Sequence, residues 1–404
     1  MADVTVLAAG AVANARSIRN IVFINERIGY AFVVNGDVDL DYVKTTNGGL
    51  TWGAAVDVFT GNMLALGVWY DQWTPGNTGR DIHIWLIENV GHDVLYFRFN
   101  TVNDTKTAAI TVFNGASAAV GRGVFVSGAR MRGGNLLCCF NIDDGTETGT
   151  YKSVDNGATW SAVTNALEAN LDQTFIFPAN VADANDGWFL YDDDSAAELT
   201  LKEYDDSGNS YTESSALTFT NNDTSATGQY GFSGSVRHSD GHLIVAFFNA
   251  FDAAGEDFLV YDMNSTASLT ALTALTTDID DMYYPSVYLN QDQPDWIYVA
   301  YIGKSDGSET LLTTASVYYA LSKDRGITWT KDIAYSTSST DYRQTWTPLN
   351  GERFLVVWMD ISSLALMTNY DNSKEFGYTA LNNYQFPRGV GQNNTGIISV
   401  AGKG

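Results

Sequence analysis

Two cysteines, six prolines and four histidines are spread over 404 residues, and each shortage removes a class of protein. Cys138 and Cys139 are neighbours. In a strand they point to opposite faces, so they cannot bridge each other. With no Cys or His partner nearby they build neither a disulfide framework nor a zinc site. His83, His92, His238 and His242 show no metal-ligand spacing. No Gly-x-Ser-x-Gly elbow, phosphate-binding glycine loop or basic stripe is present, which leaves serine-hydrolase, nucleotide and nucleic-acid chemistry without a motif. Positive charge is scarce too: 22 Lys and Arg face 47 Asp and Glu, a net charge of −25. That balance repels nucleic acid and anionic membrane surfaces. No apolar run reaches the length of a membrane span. The opening Met1-Ala2-Asp3-Val4 carries an early acid and no basic stretch, which speaks against a cleaved secretory signal.

What is abundant points one way. Aromatics make up 13% of the chain and hydrophobic residues 45%, with 37 glycines. Many short strands joined by Gly, Asn and Asp turns use such a composition. Stability has to come from packing.

One octapeptide occurs three times, as Thr45–Trp52, Ser153–Trp160 and Ser322–Trp329. The pattern is Ser/Thr-x-Asp-x-Gly-x-Thr-Trp, built on Asn47, Gly49 and Trp52, on Asp155, Gly157 and Trp160, and on Asp324, Gly326 and Trp329. A short acceptor side chain at the third position folds onto nearby backbone N–H groups. The glycine permits φ > 0 in a tight hairpin turn. The Thr is expected to start the next strand, and the Trp to wedge against a neighbouring unit. The motif is a hairpin staple.

The tryptophans lie 108 and 169 residues apart, intervals that divide into two and three units. Tyr204–Tyr211 keeps the pattern in part, with Asp206, Gly208 and Tyr211 in register, and Asp371–Phe376 keeps an acid and an aromatic. Turn-like segments fill the empty slots at Asn103–Thr107 and Asp262–Thr266. The repeat is about 54 residues long, within the range of repeat architectures. Each unit carries the same succession of short apolar strands, for instance Asn20–Phe23, Ile28–Val34 and Leu40–Val43 ahead of the first box. Four short strands per unit, radially repeated, are the mark of an all-β, single β-propeller.

At these boxes the chain resembles the sialidase-like, Asp-box (BNR-repeat) β-propellers, of the kind found in bacteriophage structural proteins. The spacing gives seven four-stranded blades; six with extra terminal strands is the other count, and six is the sialidase number. The ring is expected over residues 16–381, with 1–15 an N-terminal arm or closing strand and 382–404 a C-terminal arm.

The resemblance implies a place to look for a site. A sialidase needs three arginines on a carboxylate, a Tyr–Glu pair and an Asp acid/base, for bidentate anion recognition and an oxocarbenium-like transition state. Arg19, in Ile18-Arg19-Asn20-Ile21, matches the family's Arg-Ile-Pro opening without its Pro. Arg237 and Arg343 are the other candidates for the clamp, and Tyr342 resembles the nucleophile in placement. None carries a full family motif, so no catalytic residue is assigned and the chain is read as a non-enzyme. Trp73, in Trp69-Tyr70-Asp71-Gln72-Trp73, and Trp346 are candidate sugar-stacking faces. The acidic groups Asp37, Asp39 and Asp41, Asp192–Asp194 and Asp278–Asp281 are expected to be solvated turns, a structural Ca²⁺ being the alternative; no other metal or cofactor is expected.

The functional expectation is a non-catalytic propeller on the outer surface of a virus particle, a bacteriophage virion. There it would serve as a decoration, fibre or receptor-binding component. Its partners would be other virion proteins, reached through the terminal arms, and cell-surface glycans, with no nucleic acid and no membrane insertion. An extracellular exo-glycosidase of the sialidase type and an intracellular scaffolding propeller are the alternatives.

Overall fold

The computed structural model describes residues 3–8, 16–35, 39–115, 124–143, 147–163, 171–180, 183–193, 198–213, 231–248, 258–265, 268–273, 280–304, 316–336, 342–351, 353–360 and 365–369. Inner strands such as Met63–Tyr70 are apolar along nearly their whole length and buried on both faces. Outer strands such as Val56–Thr60 are largely exposed. A radial stack of sheets produces this gradient, because only the strands nearest the axis have neighbours on every side.

Seven such sheets form the ring. Blade 1 runs Ile21–Phe23, Gly29–Asn35, Asp39–Thr45, Val56–Thr60. Blade 2 runs Met63–Tyr70, Asp81–Glu88, Val94–Asn100, with Thr105–Lys106 and Ile110–Phe113 sharing the outer position. Blade 3 is Phe125–Arg130 to Ser161–Ala162, blade 4 Leu171–Pro178 to Ser210–Glu213, blade 5 Phe232–Val236 to Ser268–Ala271, and blade 6 Asp280–Asn290 to Thr330–Ala334. Blade 7 takes Tyr342–Trp346, Val357–Asp360 and Ala365–Asn369 from the end of the chain and its outer strand, Asp3–Leu7, from the beginning. Asn369 Nδ2 also donates to Asp3 Oδ1 at 2.9 Å. This pairing closes the circle by joining an N-terminal strand to the last described strand of the ring. Residues 382–404 and the Asp371–Phe376 turn lie outside the described residues.

The three boxes share one geometry. In blade 3, Ser153 Oγ accepts the Gly157 N–H at 2.8 Å, and Asp155 Oδ1 accepts the Thr159 N–H at 2.8 Å. The Thr159 hydroxyl donates to Asp155 Oδ2 at 2.6 Å. Hydrogen bonds from Thr159 and Ser153 pull the Asp155 carboxyl down to about 2. Blade 6 repeats the set with Ser322, Asp324 and Thr328. In blade 1, Asn47 keeps it by turning one bond round: its Nδ2 donates to Thr51 Oγ1 at 2.8 Å. The box threonine therefore closes the turn and does not start a strand; strands resume at Val56, Ser161 and Thr330.

The box glycine has two reasons to be glycine. Gly49, Gly157 and Gly326 have φ of 95°, 85° and 84°, and each sits against the preceding blade. A Cβ on Gly157 would lie 2.1 Å from the Tyr96 ring of blade 2, on Gly326 2.5 Å from Leu272 beside blade 5, and on Gly49 3.0 Å from Leu355 beside blade 7. The tryptophans add to the same contact. Trp160 meets Tyr96 and Trp85 edge-on at 5.3 and 6.3 Å, and Trp329 Nε1 donates to Thr273 O at 3.1 Å. Trp52 packs on a cluster that holds Leu355 and Val357. Each box fastens its own outer hairpin to the blade before it.

Blade 4 departs from the expected register. Asp205, not Asp206, folds back onto its own turn, accepting the Gly208 N–H at 2.8 Å and the Ser207 hydroxyl at 2.8 Å. Asp206 instead reaches blade 3, where Lys152 Nζ donates to it at 2.9 Å. Asn209, not Gly208, takes the positive φ, 48°. Tyr211 packs on Phe189 and Tyr204 of its own blade and also lies beside Thr150 and Cys139 of blade 3.

Candidate functional site

In a four-stranded meander the first and third connections leave at the same end. The boxes therefore share one end of the ring with the loops that follow each innermost strand. Four of those loops converge on the axis. Asp71–Trp73, a 3₁₀ turn after the inner strand of blade 2, presents Trp73 O to His238 Nε2 of blade 5 at 3.3 Å and to Asn350 Nδ2 of blade 7 at 3.5 Å. Gln291 of blade 6 donates from Nε2 to Asn350 Oδ1 at 2.8 Å and to Gln72 O at 3.4 Å. Its amide also lies 3.4 Å from His238 Nδ1. Burial pulls the His238 pKa down, against the hydrogen bond to Trp73 O. A neutral ring with the proton on Nε2 suits both contacts, since Nδ1 is then free to accept from Gln291.

The turn that carries Trp73 is held from beneath. Asp71 is buried and accepts from His83 Nε2 at 3.0 Å, Arg130 Nη1 at 2.8 Å and the Asp81 N–H at 2.9 Å. Burial raises its carboxyl, the bonds from His83 and the Asp81 N–H lower it with the nearby Arg130 charge, and the net result lies below the ordinary value. Trp69 Nε1 donates to Thr74 Oγ1, and Thr74 Oγ1 to Arg130 O. His83 Nδ1 is 2.7 Å from the hydroxyl of Tyr96, the ring on which the Ser153–Trp160 box of blade 3 presses. A continuous path of contacts links that box to the axial turn.

Beside this seal lies a narrow cleft whose lining residues include Asn25, Gln72, Gln291, Asn350, Tyr70 and Trp73. Among the described residues, none of its lining side chains is charged. Trp73 is fully buried, and its indole N–H has no hydrogen-bond partner.

Of the candidate site residues whose side chains are described, only Trp73 lines this cleft, and it is fully buried. Arg19 is buried in the ring interior, with its guanidinium 4.3 Å from the Phe177 ring, 4.7 Å from Phe175 and 5.1 Å from Trp69. Its Nη1 donates to Ile176 O at 2.9 Å. It stands with φ 56° where the chain changes partner: Arg16–Ile18 pairs in parallel with Ala65–Gly67 of blade 2, and Ile21–Phe23 pairs with blade 1. Arg237 is buried on Asp240 and Asp262, with Nε 3.0 Å from each Asp240 oxygen and Nη2 2.7 Å from Asp262 Oδ2. Trp346 is buried in the cluster with Ile21 and Val357, so its face is not open for stacking. Tyr342 and Arg343 belong to the strand Tyr342–Trp346; their side chains lie outside the described residues. Among the described residues no group of three or more His, Cys, Asp or Glu is placed to hold a metal ion, and no helix is long and apolar enough to cross a membrane.

Gln72, His238, Gln291 and Asn350 were not legible as a group. The available signal was positional, since each follows the innermost strand of its repeat.

These features define an all-β, seven-bladed propeller with mostly four-stranded blades. No family profile and no curated protein sequence matches the chain. Among solved structures, the GH74 xyloglucanase from Xanthomonas campestris superimposes with a TM-score of 0.52 at 12% identity, over 90% of this chain and 55% of its own. A sialidase from Trypanosoma rangeli, in complex with the inhibitor DANA, gives 0.51 at 12% identity, over 79% and 57%. The chain spans little more than half the length of either. At these identities the likeness is one of fold.

Proposed function

We propose that this chain is a non-catalytic, sialidase-like propeller that displays a sugar-binding surface on a virus particle, a bacteriophage virion, as a decoration, fibre or receptor-binding component. The observation that carries the non-catalytic reading is the state of the arginines. Arg19 is committed to three aromatic rings and a backbone carbonyl, and Arg237 to two carboxylates. A carboxylate clamp needs guanidinium groups free to fork onto an anion. An exo-glycosidase of the sialidase type would first have to take both out of the core.

Sugar binding is supported by a ring shared with a xyloglucanase and a sialidase. The virion setting rests on composition: few lysines, no disulfide framework, and a polar segment at 382–404 that ends in Ile397-Ile398-Ser399-Val400. A short β-prone end of this kind suits strand addition to a partner's sheet edge. The outer position of blade 7 is filled by Asp3–Leu7, so ring closure at that position does not call on the C-terminal segment. Immunogold labelling of purified particles is the test. The full chain is expected on intact particles, and a chain lacking 385–404 is expected to keep its melting temperature and lose the particle; a full chain found only free in the lysate contradicts the display reading.

A further inference from the structure

We infer that the chain beyond Asn369 straps back over the Asp-box end of the ring, with residues 376–386 laid on the exposed apolar tips of blades 1 to 3. This goes beyond the reading above and rests on neither its sugar-binding nor its virion half. The two ends of the ring differ. Among the described residues, six large apolar side chains are exposed: Leu50, Val56, Val90, Val102, Val154 and Ile327. Leu50, Val154 and Ile327 lie in the boxes, Val102 in the matching turn of blade 2, and Val56 opens the strand that follows the first box. All five are therefore at the box end. Val90, between Asp81–Glu88 and Val94–Asn100, is at the other. One exposed valine is ordinary, whereas five gathered on one end mark it as a surface to be covered. Leu50, Val102 and Val154 stand on the outer turns of successive blades, and these turns touch their neighbours. Asp104 of blade 2 accepts from Lys44 Nζ of blade 1 at 2.7 Å, and Gly157 of blade 3 lies against the Tyr96 ring of blade 2.

Where the chain goes next names the occupant. Ala365–Asn369 is the third strand of blade 7, so it ends at the box end. Blade 1 is adjacent there, with Gly49 of its box against Leu355. The outer position of blade 7 is taken by Asp3–Leu7. The sequence that follows suits the surface. Phe376, Tyr378, Tyr384 and Phe386 all fall at even positions, with Gly377, Thr379, Asn383 and Gln385 between them and Leu381 the exception. In an extended chain these four rings share one face, and a strand with one apolar face is held where that face is buried. Charge agrees with this placement. Residues 376–404 contain Arg388 and Lys403 and no acid, in a chain whose net charge is −25, so the segment is drawn to the acidic ring and not repelled by it. Extended, residues 370–386 span about 56 Å, enough to pass from blade 7 over the three turns. Ile397-Ile398-Ser399-Val400 lies beyond the strapped stretch.

Cys138 and Cys139 are fully buried, so a single cysteine added at the surface reports its own cover. The experiment is the rate of maleimide labelling of the full chain carrying Leu50→Cys, Val102→Cys, Val154→Cys or Val90→Cys, each with and without the tail pair Tyr378→Asp and Tyr384→Asp. Leu50→Cys, Val102→Cys and Val154→Cys are expected to label at least tenfold more slowly than Val90→Cys. With the tail pair they are expected to reach the Val90→Cys rate, at an unchanged melting temperature. If the tail pair disturbs folding, Phe386→Ser alone is expected to raise the three rates severalfold. Labelling of the three as fast as Val90→Cys overturns the inference. So does slow labelling that neither tail variant relieves, which would put another part of the chain or a second copy on those tips. No particle and no sugar is present, so the outcome is independent of the reading above.

Discussion

Arg19 and Arg237 occupy the interior of the same ring, yet their charges are accommodated by opposite chemistry. Arg237 lies among Asp240, Asp262 and His242; its Nε and Nη2 donate to carboxylate oxygens and only Nη1 is left without a partner. Burial lowers its pKa, and the bonds from both carboxylates more than restore it. Arg19 has three π faces and a carbonyl in place of a carboxylate, its Nε and Nη2 have no partner, and burial leaves its pKa well below the ordinary value. Cation–π contact with several rings offsets part of the desolvation that an anion offsets elsewhere. The difference shows that an arginine in a motif-like place can be structural in two unrelated ways, and neither leaves a guanidinium free for substrate.

The comparison can be broken by substitution. Arg237→Met leaves two neighbouring carboxylates without their cation, and a loss of about 3 kcal/mol is expected in denaturant unfolding. An Arg237→Met protein as stable as wild type would mean that solvent already screens Asp240 and Asp262, and the contrast would collapse.

Acid sharpens the same contrast. Burial raises the Asp240 carboxyl, but bonds from Arg237 and the His242 N–H outweigh it and hold it below its ordinary value. A carboxyl depressed in the folded state contributes stability that is present above its unfolded pKa, about 4, and is lost as pH falls below that. Melting temperature should therefore drop below about pH 4 in wild type, and part of that slope should vanish in Arg237→Met. The Arg19 variant should keep the wild-type slope, since no carboxylate faces its guanidinium among the contacts described.

A smaller change is expected at Arg19 itself. Methionine keeps a polarizable side chain against Trp69, Phe175 and Phe177 and removes a buried charge, at the loss of one bond to Ile176 O. Arg19→Met should remain within about 1 kcal/mol of wild type. A loss as large as that of Arg237→Met would show that the aromatic cage stabilises the charge as fully as an ion pair does.

Much of the ring was readable from local chemistry. Ser153, Asp155, Gly157 and Thr159 close the turn on one another, so the pattern survives in sequence and its spacing counts the blades. What escaped was set by contacts between distant repeats. Asp205 and Asp206 are adjacent acids, and contacts from Lys152 and Asn135 on the neighbouring blade decide which one leaves the turn. The outer strand of blade 7 comes from Asp3–Leu7; a closing strand was one of the two roles open to residues 1–15, and no periodicity chooses it over an arm. Trp73 stood out as an aromatic beside a polar loop. Gln72, Gln291 and Asn350 did not, because an amide after a strand is an ordinary turn residue until four blades bring such residues to one axis.

The central claim is that these arginines belong to the architecture and not to a carboxylate clamp. Hydrolysis of a fluorogenic sialoside by the full chain tests it most directly, alongside Arg19→Met as the folded control. No turnover above the buffer rate is expected from either protein; robust turnover by the full chain that disappears in a folded Arg19→Met would contradict the claim and make Arg19 a substrate-binding residue.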